Sequence, residues 1–433
     1  MYKIGLLGLG TVGTGTAKII LNPNGRHPLL QELTIGKIGV RTLDKPRTIN
    51  LDPHLFTTDL ESIVNDPDID IVVELIGGTD RAKTLVMQAI ATGKHVVTAN
   101  KALIAAHGDA IFTAAAEAGV YVLFEAAVGG GIPILKPLKQ SLKVNRIQSV
   151  IGIINGTTNY ILTEMAEKGS DFSDVLAVAQ QLGYAEADPT ADVGGGDAAD
   201  KITILTSLAF GGRVNRSDVY CEGITQISAM DIDYAKQLGF VIKLLAIASR
   251  VDPDREEVQV RVHPTLLPKH HPLASVNGVY NAILVESDPL GQVMFFGPGA
   301  GEGATASAVL ADILNILALL ESGGDNAQLN PLLSVNHQHH CPVVPLAELE
   351  TRFYVRFICE DVPGVIGNLG TVFGAHRVSL ESIVQLQINP DRRAEIVVIT
   401  HDVKEKDFRQ ALNEIQALGV IAKEPIVLRV LHS

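Results

Sequence analysis

A glycine pattern near the N-terminus constrains the fold of this chain more than any other feature. The pattern is G-x-G-x-x-G, and it begins within the apolar run KIGLLGLG, just before a helical stretch. Strand and helix signals then alternate up to about residue 125. Such alternation is typical of a parallel, doubly wound α/β sheet.

In this context the glycine pattern predicts a Rossmann-type dinucleotide site. Gly8 permits the tight turn, Gly10 lets the backbone approach a pyrophosphate, and Gly13 allows close helix–strand packing. Thr11 and Val12 open the following helix, whose N-terminus favours an anionic group.

The end of the second predicted strand indicates which dinucleotide is bound. Arg41 stands where an enzyme that uses NAD usually has Asp or Glu. Arg41, helped by Lys45 or Arg47, would bind a 2′-phosphate. NADP is therefore the expected cofactor, and NAD is expected to be accepted as well. The alternative is a solvated basic loop.

After about residue 130 the secondary-structure pattern and the composition of the chain change twice. From about 130 to 320 the pattern is mixed, with helical runs at 198–210, 231–249 and 304–321, which predicts an α+β catalytic and dimerisation domain. Gly, Asn, Pro and His are frequent in the next segment, which predicts a linker. The C-terminal part has the order βαββαβ of a ferredoxin-like fold. The predicted domains are 1–128, 129–322, 323–350 (linker) and 351–433.

Charge and cysteine content limit the possible partners and compartment. The formal net charge of the 433 residues is −13, which argues against nucleic acid or an anionic membrane as a partner. No apolar run reaches 18 residues without a polar interruption, so no membrane-spanning helix is expected. The three cysteines form no close pair, which favours a reducing cytoplasm over a disulfide framework or a zinc site.

An acidic stretch, GYAEADPTADVGGGDAADK, occupies residues 183–201. Asp197 and Lys201 are four residues apart, so on a helix they share one face. A lysine among carboxylates can act as a general acid or bind a charged substrate. A surface ion pair is the alternative that the local sequence leaves open.

Five ordered blocks together resemble homoserine dehydrogenase, which interconverts L-aspartate 4-semialdehyde and L-homoserine. The blocks are GLGTVG (8–13), TANKALIA (98–105), FEAAVGGGIPIL (124–135), GIINGTTNYIL (152–162), and GYAEADPTADV with Asp197 and Lys201. The resemblance covers nearly the whole chain.

The resemblance implies a role for each matching residue. Lys201 would donate the proton, and Lys101 would lie beside the nicotinamide and the substrate, with Asp197 as a third catalytic residue. Glu186, Asp192 and Asp197 would bind the substrate.

The resemblance also implies a monovalent cation, Na⁺ or K⁺, held by backbone carbonyls. The matching positions are Glu125, Val128, Gly130 and Ile132, and a simple glycine-rich turn is the alternative. The chain departs from the family at residues 194–196, where three glycines are expected to loosen the loop. Asp200 is a second departure, because it adds a carboxylate beside Lys201.

The segment EDVPGV (360–365) resembles the opening of an ACT domain, a module that binds amino acids. Asp361, Gly364 and Val365 would then contact an effector, and the effector that the family implies is L-threonine. ACT modules usually pair, so a homodimer or homotetramer is expected. The alternative is a dimerisation module without a ligand. A linker before this unit implies that a chain cut near Pro345 still folds.

Two other functions would make different demands on the sequence. Another ACT-tailed amino-acid dehydrogenase would need a His–Glu or His–Asp relay after the Rossmann half, and the sequence suggests none. A non-catalytic nucleotide or amino-acid sensor would not need both Asp197 and Lys201.

Overall fold

The computed structural model describes residues 1–252, 255–322, 329–335, 339–388 and 393–431, without the side chains of 386–388. Its contacts divide the chain into two compact units. Unit 1 comprises Met1–Ile154, Ala198–Val219 and Tyr280–Pro342. Unit 2 comprises Asn155–Asp197, Tyr220–Val279 and Val343–Ser433. The predicted segment 129–322 therefore contributes to both units.

The described helices and strands follow one another in three stretches. The first is β1 (Tyr2–Leu7), α1 (Thr11–Leu21), β2 (Leu33–Gly39), β3 (Phe56–Thr57), α2 (Glu61–Val64), β4 (Ile71–Glu74), α3 (Asp80–Ala91), β5 (His95–Thr98), α4 (Lys101–Ala118) and β6 (Val122–Leu123). The second is α5 (Leu135–Lys139), β7 (Arg146–Ile153), α6 (Gly156–Lys168), α7 (Phe172–Gln181), α8 (Thr190–Val193), α9 (Gly196–Phe210), β8 (Tyr220–Cys221), α10 (Ala229–Gln237), β9 (Phe240–Arg250), β10 (Val258–Pro268), β11 (Tyr280–Asp288), β12 (Gly291–Pro298) and α11 (Glu302–Glu321). The third is β13 (Glu350–Glu360), α12 (Val365–Ala375), β14 (Leu380–Ile388), β15 (Arg393–Thr400), β16 (Val403–Lys404), α13 (Glu405–Ala417) and β17 (Ile426–Val430).

Unit 1 is built around a six-stranded parallel sheet with the order β3-β2-β1-β4-β5-β6. This is the strand order of a Rossmann fold, so the predicted fold class of the N-terminal part is confirmed. The order reverses between β1 and β4, and ligands of such sheets bind outside the carboxyl ends of the strands at that point. Unit 1 also contains the antiparallel order β12-β11-β7.

A helix that lies far along the sequence from these strands, α11, completes the core of this Rossmann layer. Helix α11 packs against α1 and contributes Val309, Ile313 and Leu317, all fully buried, to the same apolar cluster as Ile4. By length and composition alone α11 could cross a membrane. Half of its apolar stretch is buried inside the protein, as in the core helix of a globular layer.

Unit 2 contains a mixed sheet with the order β9-β10-β17-β13-β15-β14. The prediction of a helix over 231–249 was wrong in its second half, because α10 ends at Gln237 and β9 begins at Phe240. Gly239 has φ +85°, which ends the helix, and β9 then pairs with β10 over eleven residues. This long-range pairing outweighs the local helical pattern.

The C-terminal residues of unit 2 form the predicted βαββαβ fold. The four long strands take the order β17-β13-β15-β14, and residues of α12 and α13 share one apolar cluster with Phe353 and Phe357 of β13. Strand β17 also pairs with β10 in parallel, at Thr265 with Arg429 and Leu266 with Val430. The βαββαβ fold therefore continues the sheet of its unit.

Only part of the predicted linker 323–350 lies within the described residues, because 323–328 and 336–338 fall outside them. The described part contains buried side chains, namely those of Leu333, Val335, Cys341 and Leu349. Lys139 donates a hydrogen bond to the carbonyl of Leu333, and burial lowers the pKa of Lys139 to about 8. These four side chains anchor the segment in the structure, while its other described residues are half-buried or exposed.

Candidate active site

The glycine turn between β1 and α1 is closed on one side and open on the other. Gly8 has φ +107°, and a Cβ there would lie 2.8 Å from the carbonyl oxygen of Leu75, which follows β4. A Cβ on Gly13 would lie 2.3 Å from the carbonyl oxygen of Gly8. At Gly10 no described atom outside Leu9–Thr11 lies within 4 Å of the Cβ position. The turn thus leaves room for a pyrophosphate at Gly10 and at the first turn of α1, where Thr11 and Val12 lie.

Glu74, which is not among the site residues predicted from the sequence, shapes the same crevice. The fully buried Glu74 carboxylate accepts hydrogen bonds from Ile76 N (2.9 Å), Gly77 N (3.2 Å) and Thr98 Oγ1 (2.5 Å). It therefore fixes the loop after β4 at the point where the strand order reverses. A glutamate at the end of the apolar run DIDIVVELIG was the available signal.

The three basic residues after β2 have different environments. The Arg47 guanidinium donates to the carbonyls of Thr42 (2.8 Å) and Leu43 (2.7 Å) and lies 4.3 Å from the centre of the Phe56 ring. Arg47 therefore holds the turn together. Arg41 and Lys45 are exposed, so they are better placed to meet a phosphate group from solvent.

Lys101 is half-buried and is the first residue of α4. Asn100 caps this helix by accepting a hydrogen bond from Leu103 N (3.1 Å), and its amide donates to Gly78 O (2.7 Å). These contacts tie the start of α4, and with it Lys101, to the loop that follows β4.

A buried carboxylate pair supports the loop from Glu125 to Ile132. The Glu125 carboxylate accepts hydrogen bonds from three successive backbone N–H groups at the start of α5, those of Ile134, Leu135 and Lys136. Glu125 N donates to Asp312 Oδ2 (2.7 Å), and Lys136 Nζ lies 3.1 Å from Asp312 Oδ1. Burial raises the pKa of Asp312 to about 6.

Backbone carbonyls are the oxygen groups that this loop offers to a cation. Val128 is fully buried, Ile132 is 1% exposed, and Gly130 has φ +52°. No described residue donates a hydrogen bond to the carbonyl of any of these three. Among the described residues no group of His, Cys, Asp or Glu side chains forms a metal site. The loop therefore fits a cation bound through backbone oxygens.

Unit 2 gathers two of the predicted substrate-binding carboxylates around Asn155. The Asn155 amide donates to Asp192 Oδ1 (2.7 Å) and Asp197 Oδ2 (2.9 Å), and its oxygen caps α6 by accepting from Thr158 N (2.8 Å). Thr157 Oγ1 lies 3.1 Å from Asp192 Oδ2. Asp197 is 7% exposed and Asp192 is half-buried, so this is a partly buried acidic cluster that hydrogen bonds hold in place. Asn155 and Thr157 are not among the site residues predicted from the sequence, although both lie in the block GIINGTTNYIL.

The structure does not place Glu186 in that cluster. Glu186 is exposed, and its backbone carbonyl accepts a hydrogen bond from Gln180 Nε2 (3.1 Å). The loop with the three glycines, which was expected to be loose, is packed at its middle glycine. Gly195 is buried with φ +83°, and a Cβ there would lie 3.1 Å from Cys221 Sγ. The turn is tight because it packs against β8.

Lys201 lies on α9, one turn after Asp197. Its Nζ donates a 2.7 Å hydrogen bond to the carbonyl of Ile154, which orients the ammonium group. The neighbouring Asp200 binds Arg216, with 2.8 Å between Asp200 Oδ1 and Arg216 Nε. The extra carboxylate therefore has a cationic partner other than Lys201.

The predicted effector residues lie at the start of α12. Gly364 has φ +95° and precedes the first helical residue, Val365, which is 5% exposed. Asp361 is exposed in the loop after β13. The first N–H groups of α12 have no partner within the helix, as at any helix start.

Comparisons with known proteins agree with this geometry. The family model "Homoserine dehydrogenase, NAD binding domain" matches residues 8–125, "Homoserine dehydrogenase" matches 133–314, and "ACT domain" matches 353–420. A homoserine dehydrogenase of Synechocystis sp. is 64% identical over 430 residues, which cover 99% of each chain.

Solved structures give the same result. The crystal structure of a homoserine dehydrogenase from Thiobacillus denitrificans has a TM-score of 0.92 at 43% identity, over 99% of this chain and 98% of that one. A hyperthermophilic archaeal homoserine dehydrogenase in complex with NADPH has a TM-score of 0.60 at 27% identity, over 74% of this chain and 98% of that one. The chain described here belongs to the homoserine dehydrogenase family of NAD(P)-dependent oxidoreductases and carries a C-terminal ACT domain.

Proposed function

We propose that this chain catalyses the reversible, NADPH-dependent reduction of L-aspartate 4-semialdehyde to L-homoserine, a step of threonine, methionine and isoleucine biosynthesis. The observation that carries the proposal is helix α9, which presents Asp197 and Lys201 one turn apart. Asp197 is buried and held by the Asn155 amide, and the Lys201 ammonium is oriented by a backbone carbonyl.

Lys201 is the proton donor in this proposal. When bound, the reduced nicotinamide supplies the hydride to the aldehyde carbon. The carbonyl oxygen then gathers negative charge, which a protonated Lys201 stabilises and neutralises by giving up its proton. In the reverse direction Lys201 takes the proton from the homoserine hydroxyl. Lys101, at the start of α4, is the second lysine that we assign to the reacting end of the substrate.

The substrate also carries an ammonium and a carboxylate group. We assign the ammonium group to the acidic residues Asp192, Asp197 and Glu186. Asn155 supports this role because its amide holds two of these carboxylates in fixed positions. Glu186 is exposed, so its contribution requires the side chain to turn toward the substrate.

NADP is the proposed cofactor, and NAD is accepted less well. Gly8, Gly10, Thr11, Val12 and Gly13 would hold the pyrophosphate, and exposed Arg41 would bind the 2′-phosphate. The archaeal relative, which was solved with NADPH, adds support. A Na⁺ or K⁺ ion would be held by the carbonyls of the Glu125–Ile132 loop.

Regulation by L-threonine at Asp361, Gly364 and Val365 is the second part of the proposal. An ACT domain is a regulatory module, and contacts within unit 2 connect it to the acidic cluster. Arg356 of β13 binds Asp231 in the first turn of α10 (2.6 Å from Nε to Oδ1), and α10 packs against α6, which Asn155 caps. We further propose a homodimer or homotetramer that functions in the cytoplasm.

The activity is tested by mixing the full-length chain with NADP and L-homoserine at alkaline pH and following NADPH absorbance. L-Serine, which is one methylene shorter, is the control substrate. We expect reduction with homoserine and little with serine. Failure to reduce either NADP or NAD with homoserine would contradict the proposal.

A further inference from the structure

Unit 1 contains a cavity that the proposed reaction does not use. Its volume is about 470 Å³, within the range of small-molecule sites. One face of α4, one face of α9, the loop at 213–215 and Val335 line the cavity.

The cavity lies one helical turn beyond the two proposed catalytic lysines. Ile104 lines it three residues after Lys101, and Ile204 lines it three residues after Lys201. Neither lysine is among the lining residues. The cavity is therefore separate from the reacting groups but is built on the helices that carry them.

Aromatic and aliphatic side chains form one part of the cavity wall. Phe112 packs on Phe124, with 5.1 Å between the ring centres, and Leu208 and Val335 add aliphatic surface. Two of the lining hydroxyls are engaged within α9, because Thr203 Oγ1 donates to Ala199 O (2.7 Å) and Ser207 Oγ donates to Thr203 O (3.0 Å). A ligand that fills the interior must therefore bring an apolar group.

Charges of both signs line the cavity near solvent. Arg213 Nε lies 3.1 Å from Asp109 Oδ1, with side chains 28% and 52% exposed, and the exposed Glu117 lies one turn further along α4 than Thr113. A guanidinium has five N–H donors, so Arg213 can keep this contact while it binds a second carboxylate. Asp109 and Glu117 can bind an ammonium group.

We infer that this cavity binds an α-amino acid with a large aromatic or branched apolar side chain. The carboxylate binds Arg213, the ammonium binds Asp109, and the side chain enters between α4 and α9. Homoserine is excluded as its ligand, because a short polar side chain would leave the apolar wall uncovered. The ligand fixes the spacing of α4 and α9 and thereby changes turnover without contacting the substrate.

Calorimetric titration of the full-length chain with L-phenylalanine, without cofactor or substrate, tests the inference. Binding in this form does not depend on catalysis, so its outcome is distinct from that of the activity assay. 3-Phenylpropionate lacks the ammonium and 2-phenylethylamine lacks the carboxylate. We expect L-phenylalanine to bind and each analogue to bind at least about tenfold more weakly, because each loses a charge-assisted contact.

Variants locate the site. Arg213→Gln and Asp109→Asn should each weaken the binding of L-phenylalanine by about tenfold. Ala116→Trp should abolish binding, because a tryptophan at this exposed lining position would fill the cavity. Arg255→Gln, in an exposed ion pair of unit 2, is the matched control and should bind normally. The inference is overturned if L-phenylalanine does not bind, if both analogues bind equally well, or if Ala116→Trp still binds it, as binding at the ACT domain would produce.

Discussion

Asn155, which was not predicted from the sequence, has both a structural and a chemical role in the candidate site. Its oxygen caps α6, while its amide holds Asp192 and Asp197. An asparagine between a strand and a helix predicts a cap, so that role was readable. The amide contacts were not, because they join residues 37 and 42 positions apart.

Asn155→Ser separates these two roles. Serine is also a good N-cap, so α6 should stay folded, but the donor to both carboxylates is lost. We expect kcat/KM for homoserine to fall by about 10–100-fold, the effect of one or two hydrogen bonds to charged groups, with NADP binding unchanged. Asn145→Ser, which removes an amide bound to Leu142 O, is the control. Unchanged kcat/KM would show that Asn155 does not organise the substrate site.

Arg41 decides cofactor choice in the proposal, and the structure separates it from Arg47, which is engaged in its own turn. Arg41→Asp should raise the KM for NADP by about tenfold or more and change the KM for NAD little, since a phosphate partner becomes a repulsive charge. Steady-state kinetics with both cofactors measure this. Arg26→Asp, at another exposed arginine, controls for the change in net charge. Equal effects on both cofactors would show that Arg41 does not read the 2′-phosphate.

At the scale of elements, local sequence patterns predicted the helices and strands correctly where no long-range strand pairing overrides them. Helix α1 begins at Thr11, as the glycine pattern predicts, because the turn through Gly8 and Gly10 precedes it directly. The helix predicted over 231–249 failed because half of that segment is set by pairing between β9 and β10. Nor does any local signal show that α11 belongs to the core of the first sheet.

Helix α10 connects the ACT fold to the rest of unit 2. Its capping box joins Ser228 and Asp231, and Arg356 binds the same Asp231 carboxylate. Arg356 also approaches Glu395 (3.4 Å), whose carboxylate accepts from Tyr234 OH (2.9 Å). A movement of β13 would therefore disturb the start of α10.

Arg356→Met leaves the fully buried Asp231 without its cationic partner. We expect a loss of about 3–5 kcal/mol in stability and a weaker response to the effector. Thermal unfolding and inhibition curves measure these effects, and Asp231→Asn in the same chain should restore part of the Tm. Arg352 lies on the same strand in a more exposed pair with Glu381, so Arg352→Met should change the Tm and the response to the effector less. A wild-type Tm in Arg356→Met would contradict this account.

For the whole molecule, the structure changes the expectation that the ACT unit is dispensable. The sequence suggested a solvated linker, but Arg429 is 2% exposed and binds Glu405 (2.7 Å) and Glu222 (3.2 Å), while β17 pairs with β10. Glu222 and Asp231 precede the supposed linker, and both have partners after it. Composition alone cannot reveal such long-range ion pairs.

A chain cut after Pro345 should therefore be less stable than the full-length chain. Removal of β17 exposes an edge of β10, and removal of Arg356 and Arg429 leaves Asp231 and Glu222 without those partners. We expect a clearly lower Tm for the truncated chain. An equal Tm would support an independent tail.

Effector binding is better tested by Gly364→Val in the full-length chain. Gly364 has φ +95°, a backbone conformation that disfavours valine.

The central claim is that Lys201 donates the proton, and the turnover of Lys201→Ala tests it most directly. The account predicts that kcat falls by roughly 10²–10⁴-fold, the usual effect of losing a general acid, while the Kd for NADP stays near the wild-type value. Lys168→Ala, at an exposed lysine paired with Glu164, should have normal turnover. Near-wild-type turnover in Lys201→Ala would contradict the assignment.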